Sequence, residues 1–490
     1  MNLWEKYKIS FQGHATKTAF CIGNRLYTYI DFEASIAGCQ QLLQENLTDP
    51  SGQPVGVMCN DSLETFAAIF ATWFSGAHFV PLHPQHPELV NEEKIRQSGM
   101  SIILDSNPET RYVCTYGITG KNPLAVSGNT GLAYILFTSG STGKPKGVPI
   151  SETNLNAFVE GFLELYPDLN SSDRFLQTYD LTSDAAFTGY LIPLLLGATV
   201  YTIPSGGFKY LNIVKYLQQY EITWTQYTPS VLNYLRPYFK SIQCNSLKHS
   251  HFGGEALPLD LVAEWASCVP NAEISNIYGP TETTITCSIH RTGIPDLPEK
   301  VYNGIISIGK PIGEVKILIL GKNGMTAQSG EKGELCIGGK QVMSDYLTNP
   351  GNNLNPFYMD ENGERYYRSG DLVFQDTDGY LFYCGRIDDQ LKINGYRIEP
   401  AEIELAVSRA SGGSKSKAFE FRNKTGTESI VVFIENTVLN PDFLKEQLRA
   451  FLPASVLPEK IIPIRNFPLN SNGKADKNAL FNEYSSLIYE

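Results

Sequence analysis

Apolar positions along this chain follow two rhythms that replace one another several times. From residue 1 to about 130, stretches with helical spacing alternate with short apolar strands such as Pro54-Val55-Gly56-Val57-Met58, the pattern of a layered α/β domain. Phe74-Ser75-Gly76-Ala77-His78-Phe79-Val80-Pro81-Leu82 reads as a helix turning into a strand, and Ala133-Tyr134-Ile135-Leu136-Phe137 as another strand. Between about 150 and 290 helices and strands continue, with buried-looking apolar runs at 191–196 and 198–203.

From about 300 to 385 strands shorten and turns multiply. Asn323-Gly324, Asn362-Gly363 and Asp378-Gly379 are hairpin-type turn dipeptides, which predict a β-rich subdomain. After Gly385-Arg386 a smaller α+β unit is expected. It opens with a hairpin turning at Asn394-Gly395 and continues with a helix begun by Pro400, whose Ile403, Ala406, Val407 and Ala410 keep a 3.6-residue period. The strand Ile430-Val431-Val432-Phe433-Ile434 and a helix through Leu444, Leu448 and Phe451 follow. The expected fold class is α/β, with layered subdomains and a β-rich subdomain over residues 1–386 and a small α+β domain over 387–490.

Composition narrows the function classes. A chain of 490 residues, 42% hydrophobic, can bury large cores. A net charge of −12 argues against a nucleic-acid binder, because a phosphate backbone demands clustered Lys and Arg. Nine cysteines from Cys21 to Cys384 include no C-x-x-C pair, so neither a disulfide framework nor a zinc site is suggested. No signal-peptide pattern opens the chain and no apolar run reaches spanning length, which predicts a cytoplasmic protein without membrane insertion.

Chemistry enters after the strand at 133–137, in Thr138-Ser139-Gly140-Ser141-Thr142-Gly143-Lys144-Pro145-Lys146-Gly147. Glycines let the backbone approach an anion and turn N–H groups toward it, while hydroxyls and lysines add donors and charge. The P-loop of nucleotide hydrolases needs a glycine five residues before Gly143-Lys144 and Ser or Thr after the lysine; here those places hold Thr138 and Pro145.

This loop closely resembles the phosphate-binding motif of the adenylate-forming superfamily, which includes acyl-CoA synthetases, luciferases and the adenylation enzymes that load amino acids onto carrier proteins. Other motifs of that family follow in order, so the resemblance covers nearly the whole chain. It is nearest to stand-alone amino-acid adenylation enzymes and D-alanine–carrier protein ligases. The resemblance implies that Thr138, Ser139, Gly140, Ser141, Thr142, Gly143, Lys144 and Lys146 hold the ATP phosphates. It implies that Gly253, Gly254 and Glu255 run along the adenine, and that in Asn276-Ile277-Tyr278-Gly279-Pro280-Thr281-Glu282 the Tyr278 ring packs on adenine, Thr281 touches phosphate and Glu282 ligates Mg2+. Asp371, in Tyr367-Arg368-Ser369-Gly370-Asp371, would accept both ribose hydroxyls, with Ser369 where the family often has Thr. Arg386 would touch ribose or phosphate, Lys392 belongs to the same nucleotide-binding junction, Asp388 would be the hinge of a mobile small domain, and Lys474 would be the catalytic lysine bridging substrate carboxylate and α-phosphate.

Amino-acid-activating members carry an aspartate for the substrate's α-ammonium. Asp180 and Asp184 both compete for that role; the family places the residue thirteen positions before a Gly-Ala pair, here Gly197-Ala198, which selects Asp184. Its surroundings depart from the usual Phe-Asp-x-Ser, since Ser183 precedes and Ala186 and Phe187 follow. The remaining pocket would be lined by Ala185, Thr188, His251, Gly253, Ile277 and Ile285, with Gln226 or Tyr227 nearby. His251 could bond a polar side chain, although a histidine beside a Gly-Gly strand is more often a satisfied neighbour than a selector.

The resemblance therefore implies an ATP- and Mg2+-dependent ligase that activates a carboxylic acid, expected to be an amino acid. The acceptor would be the phosphopantetheine of a separate carrier protein, with coenzyme A as the alternative acceptor of an acyl- or aryl-CoA synthetase. With sixteen residues after Lys474, the expectation is a free-standing enzyme that meets its carrier in trans.

Overall fold

The computed structural model describes residues 1–105, 131–140, 145–203, 209–292, 299–347, 355–388, 390–393, 395–424, 426–468 and 475–489. These gather into two compact units. The first comprises Met1–Pro84, Ile95–Leu136 and Gly147–Ile387, the second Gln85–Lys94, Phe137–Lys146 and Asp388–Glu490.

Among the described residues the first unit is built around a nine-stranded sheet ordered Lys310–Pro311, Ser288–Thr292, Glu273–Tyr278, His249–Gly253, Trp224–Tyr227, Arg174–Gln177, Thr199–Thr202, Thr18–Ile22 and Arg25–Thr28. Its central strands are parallel and its edges antiparallel. Parallel strands need helical crossovers that cover the sheet faces, which explains why His249–Gly253 and Trp224–Tyr227 are buried at every position. A five-stranded sheet runs in the order Ile102–Asp105, Pro54–Met58, His78–Leu82, Leu132–Thr138 and Lys146–Ser151, and its first four strands are parallel. The helix-to-strand passage expected at 74–82 is there: Leu63–Phe74 is the helix and His78–Leu82 the strand.

The two apolar runs near 191 and 198 have different fates. The first closes the helix Ala185–Leu196, which is buried on nearly every face, and the second forms the strand Thr199–Thr202. Gly197 separates them at φ 72, and a Cβ there would lie 2.2 Å from the His14 ring, so only glycine fits. The strands Lys316–Leu320, Gly333–Gly338, Phe357–Met359, Arg365–Gln375 and Leu381–Arg386 form a five-stranded antiparallel sheet whose hairpins turn at the three predicted dipeptides.

In the second unit the strands Ser416–Arg422, Glu428–Glu435 and Lys460–Ile464 form a sheet. The helix Pro400–Ala410 lays Ile403, Ala406 and Val407 into a core with Val432, Ile434 and Leu448. The strands Leu391–Ile393 and Tyr396–Ile398 pair antiparallel. Among the described residues no helix is long and apolar enough to cross a membrane.

Candidate active site

Polar side chains named from the sequence converge, in the first unit, at the C-terminal ends of the parallel strands, where α/β sheets present ligand sites. The strand Glu273–Tyr278 ends by delivering Tyr278, and the chain then turns through Gly279 and Pro280 into a short 3-10 helix, Thr281–Thr283. Gly279 is required by proximity: a Cβ there would lie 2.4 Å from the Ile285 carbonyl oxygen. Thr284 and Ile285 both hold positive φ, 58° and 69°, and a β-branched residue at Ile285's angle is a strained backbone that surrounding structure must enforce. Gln341 does so. Its Nε2 donates to the carbonyls of Thr283, Thr284 and Thr286 at 3.2, 3.2 and 2.8 Å, and Thr284 Oγ1 donates to the Gln341 carbonyl at 2.6 Å.

Tyr278, Asp371 and Arg386 form one buried chain. The Tyr278 hydroxyl donates to Asp371 Oδ2 at 2.5 Å, and an Arg386 guanidinium N–H group lies 2.9 Å from Asp371 Oδ1 and 2.9 Å from the Ser369 carbonyl oxygen. Burial, reinforced by the Asp371 charge, raises the Tyr278 phenol well above 10, so it stays a neutral donor. Asp371 is 2% exposed and accepts bonds on both oxygens, yet a carboxylate has about four acceptor sites, which leaves capacity for a diol. Replacing Asp371 with Ala is expected to cost on the order of 3–5 kcal/mol, because it removes the buried carboxylate that the Tyr278 hydroxyl and the Arg386 guanidinium both bond. Urea unfolding monitored by tryptophan fluorescence would check this, and an unchanged midpoint would count against the network.

Glu282 is 1% exposed, and Tyr346 donates its hydroxyl to Oε1 at 2.6 Å, which orients the carboxylate. Glu255 accepts from Ser230 N at 2.9 Å and from Ser230 Oγ, and Asn276 Nδ2 donates to the carbonyls of Ile306 and Ser307 at 3.1 and 3.0 Å. Both side chains thus hold neighbouring loops.

The two candidate aspartates separate cleanly. Asp180 Oδ1 accepts from Thr182 N at 2.8 Å and Thr182 Oγ1 at 2.9 Å, and its Oδ2 lies 3.4 Å from His83 Nε2. It organises the turn that leads into the helix Ala185–Leu196. Asp184 takes the N-cap position of that helix but makes no capping bond through its side chain, and its Oδ2 is buried with no hydrogen-bond partner among the described residues. An N-cap carboxylate ordinarily accepts from the first helical N–H groups; this one is withheld from them. Burial pushes its carboxyl up from 3.8 to about 7, the Thr281 hydroxyl works the other way, and the Glu282 charge adds to the rise.

His251 differs from the expectation of a satisfied neighbour. It is enclosed by the rings of Phe162, Tyr166 and Trp224 at centroid distances of 6.0, 5.1 and 5.0 Å, and neither ring nitrogen has a partner among the described residues. Burial holds its pKa well below 6.5, so it is neutral. Thr188 Oγ1 and Gln226 Oε1 are likewise buried without partners among the described residues, while Gly253 and Ile277 are buried at strand ends and Ile285 in the loop after Thr281–Thr283.

In the second unit, Ser139 Oγ donates to the Arg397 carbonyl at 2.6 Å, and Thr138 and Gly140 flank it. Lys146 begins the strand Lys146–Ser151, Lys392 pairs in register with Arg397, and Asp388 Oδ1 accepts from Gln390 N at 3.2 Å. Ser141, Thr142, Gly143, Lys144 and Lys474 lie outside the described residues. Sequence reasoning missed Gln341, Tyr346 and Ser230; each acts on a motif dozens of residues away, and nothing beside them in sequence signals it.

Residues 8–347 match the family model described as AMP-binding enzyme. Among curated proteins the chain is similar to gramicidin S synthase 2 of Aneurinibacillus migulanus, 30% identical over 461 residues that make up 90% of this chain and 10% of that protein. It is also similar to zwittermicin A synthase ZmaJ of Bacillus cereus, 29% identical over 92% of this chain and 89% of that one. The chain spans between about a tenth and a fifth of the length of most of the curated relatives it matches first. In fold it is similar to the Vibrio cholerae adenylation domain AlmE, solved in complex with glycyl-adenosine-5'-phosphate, with a TM-score of 0.85 over 99% of this chain and 98% of that one at 24% identity.

Proposed function

This chain belongs to the AMP-binding enzyme family, and from that membership we propose that it is an ATP- and magnesium-dependent ligase that activates an amino acid as its aminoacyl-adenylate and passes it to a thiol. One observation carries the amino-acid part: Asp184 is buried, makes no side-chain capping bond at the start of its own helix, and its Oδ2 has no partner among the described residues. An isolated carboxylate is costly to bury, and an α-ammonium at that oxygen would repay the cost through a charge-assisted hydrogen bond.

In the proposed reaction a substrate carboxylate oxygen bonds to the α-phosphorus of ATP while the bond from that phosphorus to the β-phosphate bridging oxygen breaks and pyrophosphate leaves. The thiol sulfur then bonds to the acyl carbon, loses its proton and expels AMP. Asp184 would orient the acid, Asp371 and Arg386 the ribose, and Tyr278 the adenine face. The magnesium expectation fits the donor chemistry here: Glu282 offers one oriented carboxylate, and magnesium at a nucleotide characteristically takes one or two carboxylates together with phosphate oxygens. Bound there it would supply positive charge against the phosphates. The phosphate loop and Lys474 would neutralise charge on the leaving group and the reacting phosphorus. We take the thiol to be the phosphopantetheine of a carrier protein, with coenzyme A as the competing acceptor.

Substrate-dependent exchange of labelled pyrophosphate into ATP, measured without any thiol across amino acids, aryl acids and fatty acids, is expected to respond to amino acids alone. Equal exchange with unaminated acids would move the enzyme to the acyl- or aryl-CoA synthetase class.

A further inference from the structure

The Glu282 carboxylate is set from a stretch of chain far from it in sequence. Residues 340–347 run past the turn that carries Glu282 and bond it twice: Met343 N donates to the Glu282 carbonyl at 2.9 Å, and the Tyr346 hydroxyl donates to Oε1 at 2.6 Å. Backbone and side chain of one residue are therefore held by the same segment. Tyr346 gives its only hydroxyl proton to Glu282, so at 3.3 Å from the Tyr367 hydroxyl it can only accept. Both phenols are buried, and one that accepts a hydrogen bond donates its own proton more strongly.

The segment is itself pinned along its length. Asn154 Nδ2 donates to the carbonyls of Lys340 and Val342 at 2.6 and 3.1 Å. The Arg365 guanidinium donates to the Met343 carbonyl at 2.7 Å and to that of Ser344, and Gln341 holds three carbonyls of the strained loop that follows Glu282. The last residue reaches the run expected to bind phosphate: Leu347 N donates to the Gly147 carbonyl at 2.8 Å, and a Cβ on Gly147 would lie 2.5 Å from Leu347 Cδ1. Tyr346 and Leu347 are neighbours in sequence, so one braced segment ties the carboxylate expected to meet the metal to the chain leaving the phosphate loop.

We infer, on the strength of the magnesium reading above, that Tyr346 is a positioning residue for the metal: its hydroxyl fixes the Glu282 carboxylate in the orientation that a magnesium ion shared with the nucleotide phosphates requires. Magnesium demands near-ideal octahedral geometry at about 2.0–2.1 Å, so a carboxylate that can turn binds it less well. Removing the hydroxyl alone leaves the Tyr346 ring in its packing and leaves Glu282 its backbone bond from Met343, so the loss falls on the carboxylate's orientation.

The test is binding of an ATP analogue with a methylene bridge between the α- and β-phosphorus, which cannot release pyrophosphate. Isothermal titration calorimetry would measure it with and without magnesium, with no acid present. In the wild type magnesium is expected to tighten binding, and Tyr346→Phe is expected to lower that tightening about tenfold, as losing a group that orients a metal ligand does. Glu282→Gln is expected to lower it at least as far. The tightening compares two titrations of one preparation, so partial unfolding of a variant does not mimic the effect. Pyrophosphate exchange by Tyr346→Phe should also recover as magnesium is raised. Tightening unchanged in Tyr346→Phe but lowered in Glu282→Gln overturns the role of Tyr346 and leaves the metal reading standing, as does exchange that stays low at saturating magnesium. Tightening unchanged in both variants, or absent from the wild type, refutes the reading on which the inference rests.

Discussion

Asp184→Ala is expected to lower pyrophosphate exchange with the preferred amino acid by about 10²- to 10³-fold in kcat/KM, while exchange with the matching acid that lacks the amino group changes only a few-fold. Truncating one partner of a buried charge pair costs about 2–5 kcal/mol, and every 1.4 kcal/mol is a factor of ten. The side chain is set up for that effect because its Oδ2 has no partner among the described residues that could take over the work of the α-ammonium. Equal losses for both acids would sink the assignment.

The same residue gives a pH signature. With its carboxyl raised to about 7 by burial, Asp184 is protonated in the free enzyme under mildly acidic conditions and cannot pair with an ammonium. The kcat/KM for an amino acid should therefore fall below about pH 7, a limb absent from Asp184→Asn. Stability runs in the opposite direction. Between 3.8 and about 7 the folded state holds a proton that the unfolded state has lost, so this group's contribution to stability declines as pH rises through that window. The decline is on the order of 4 kcal/mol. Asp184→Asn, which removes the ionisation, is expected to be more stable than the wild type at pH 8 while exchanging poorly. Urea unfolding at pH 8 checks this, and a variant less stable than wild type would contradict it.

Lys474→Ala is expected to lower exchange by about 10²- to 10³-fold, with the fold intact. A lysine bridging the attacking carboxylate and the α-phosphate would neutralise charge that builds only as the new oxygen–phosphorus bond forms. A donor aimed at transition-state charge is worth that much. Lys474→Arg keeps the charge but replaces a compact ammonium with a planar fork, so it should recover only part of the rate. Equal circular dichroism and unfolding midpoints across the three proteins would exclude a folding defect, and near-normal exchange in Lys474→Ala would remove the residue from the reaction.

What could be read along the chain and what could not divides by the range of each interaction. The alternation of 3.6- and 2-residue periods, the hairpin dipeptides at 323–324, 362–363 and 378–379, and the run Tyr278 to Glu282 were all legible, because each depends on neighbours within a few positions. Those signals carried the α/β class, the β-rich segment and the motifs of the AMP-binding family. Folding decided the rest. Asp180 and Asp184 are the same residue type four positions apart; the family's spacing favours Asp184, but the physical difference between them lies in the bonds made inside the turn and at the helix start. Gln341 clamps a strained loop more than fifty residues away, and Tyr346 reaches back to Glu282 across sixty-four. The sheet sets Phe20 beside Val200, and sheet register, not local pattern, sets Gln226 beside His251. Local periodicity reports which face of an element is apolar; which distant face it meets, and which polar atom is left there without a partner, is determined by packing among segments far apart in the chain.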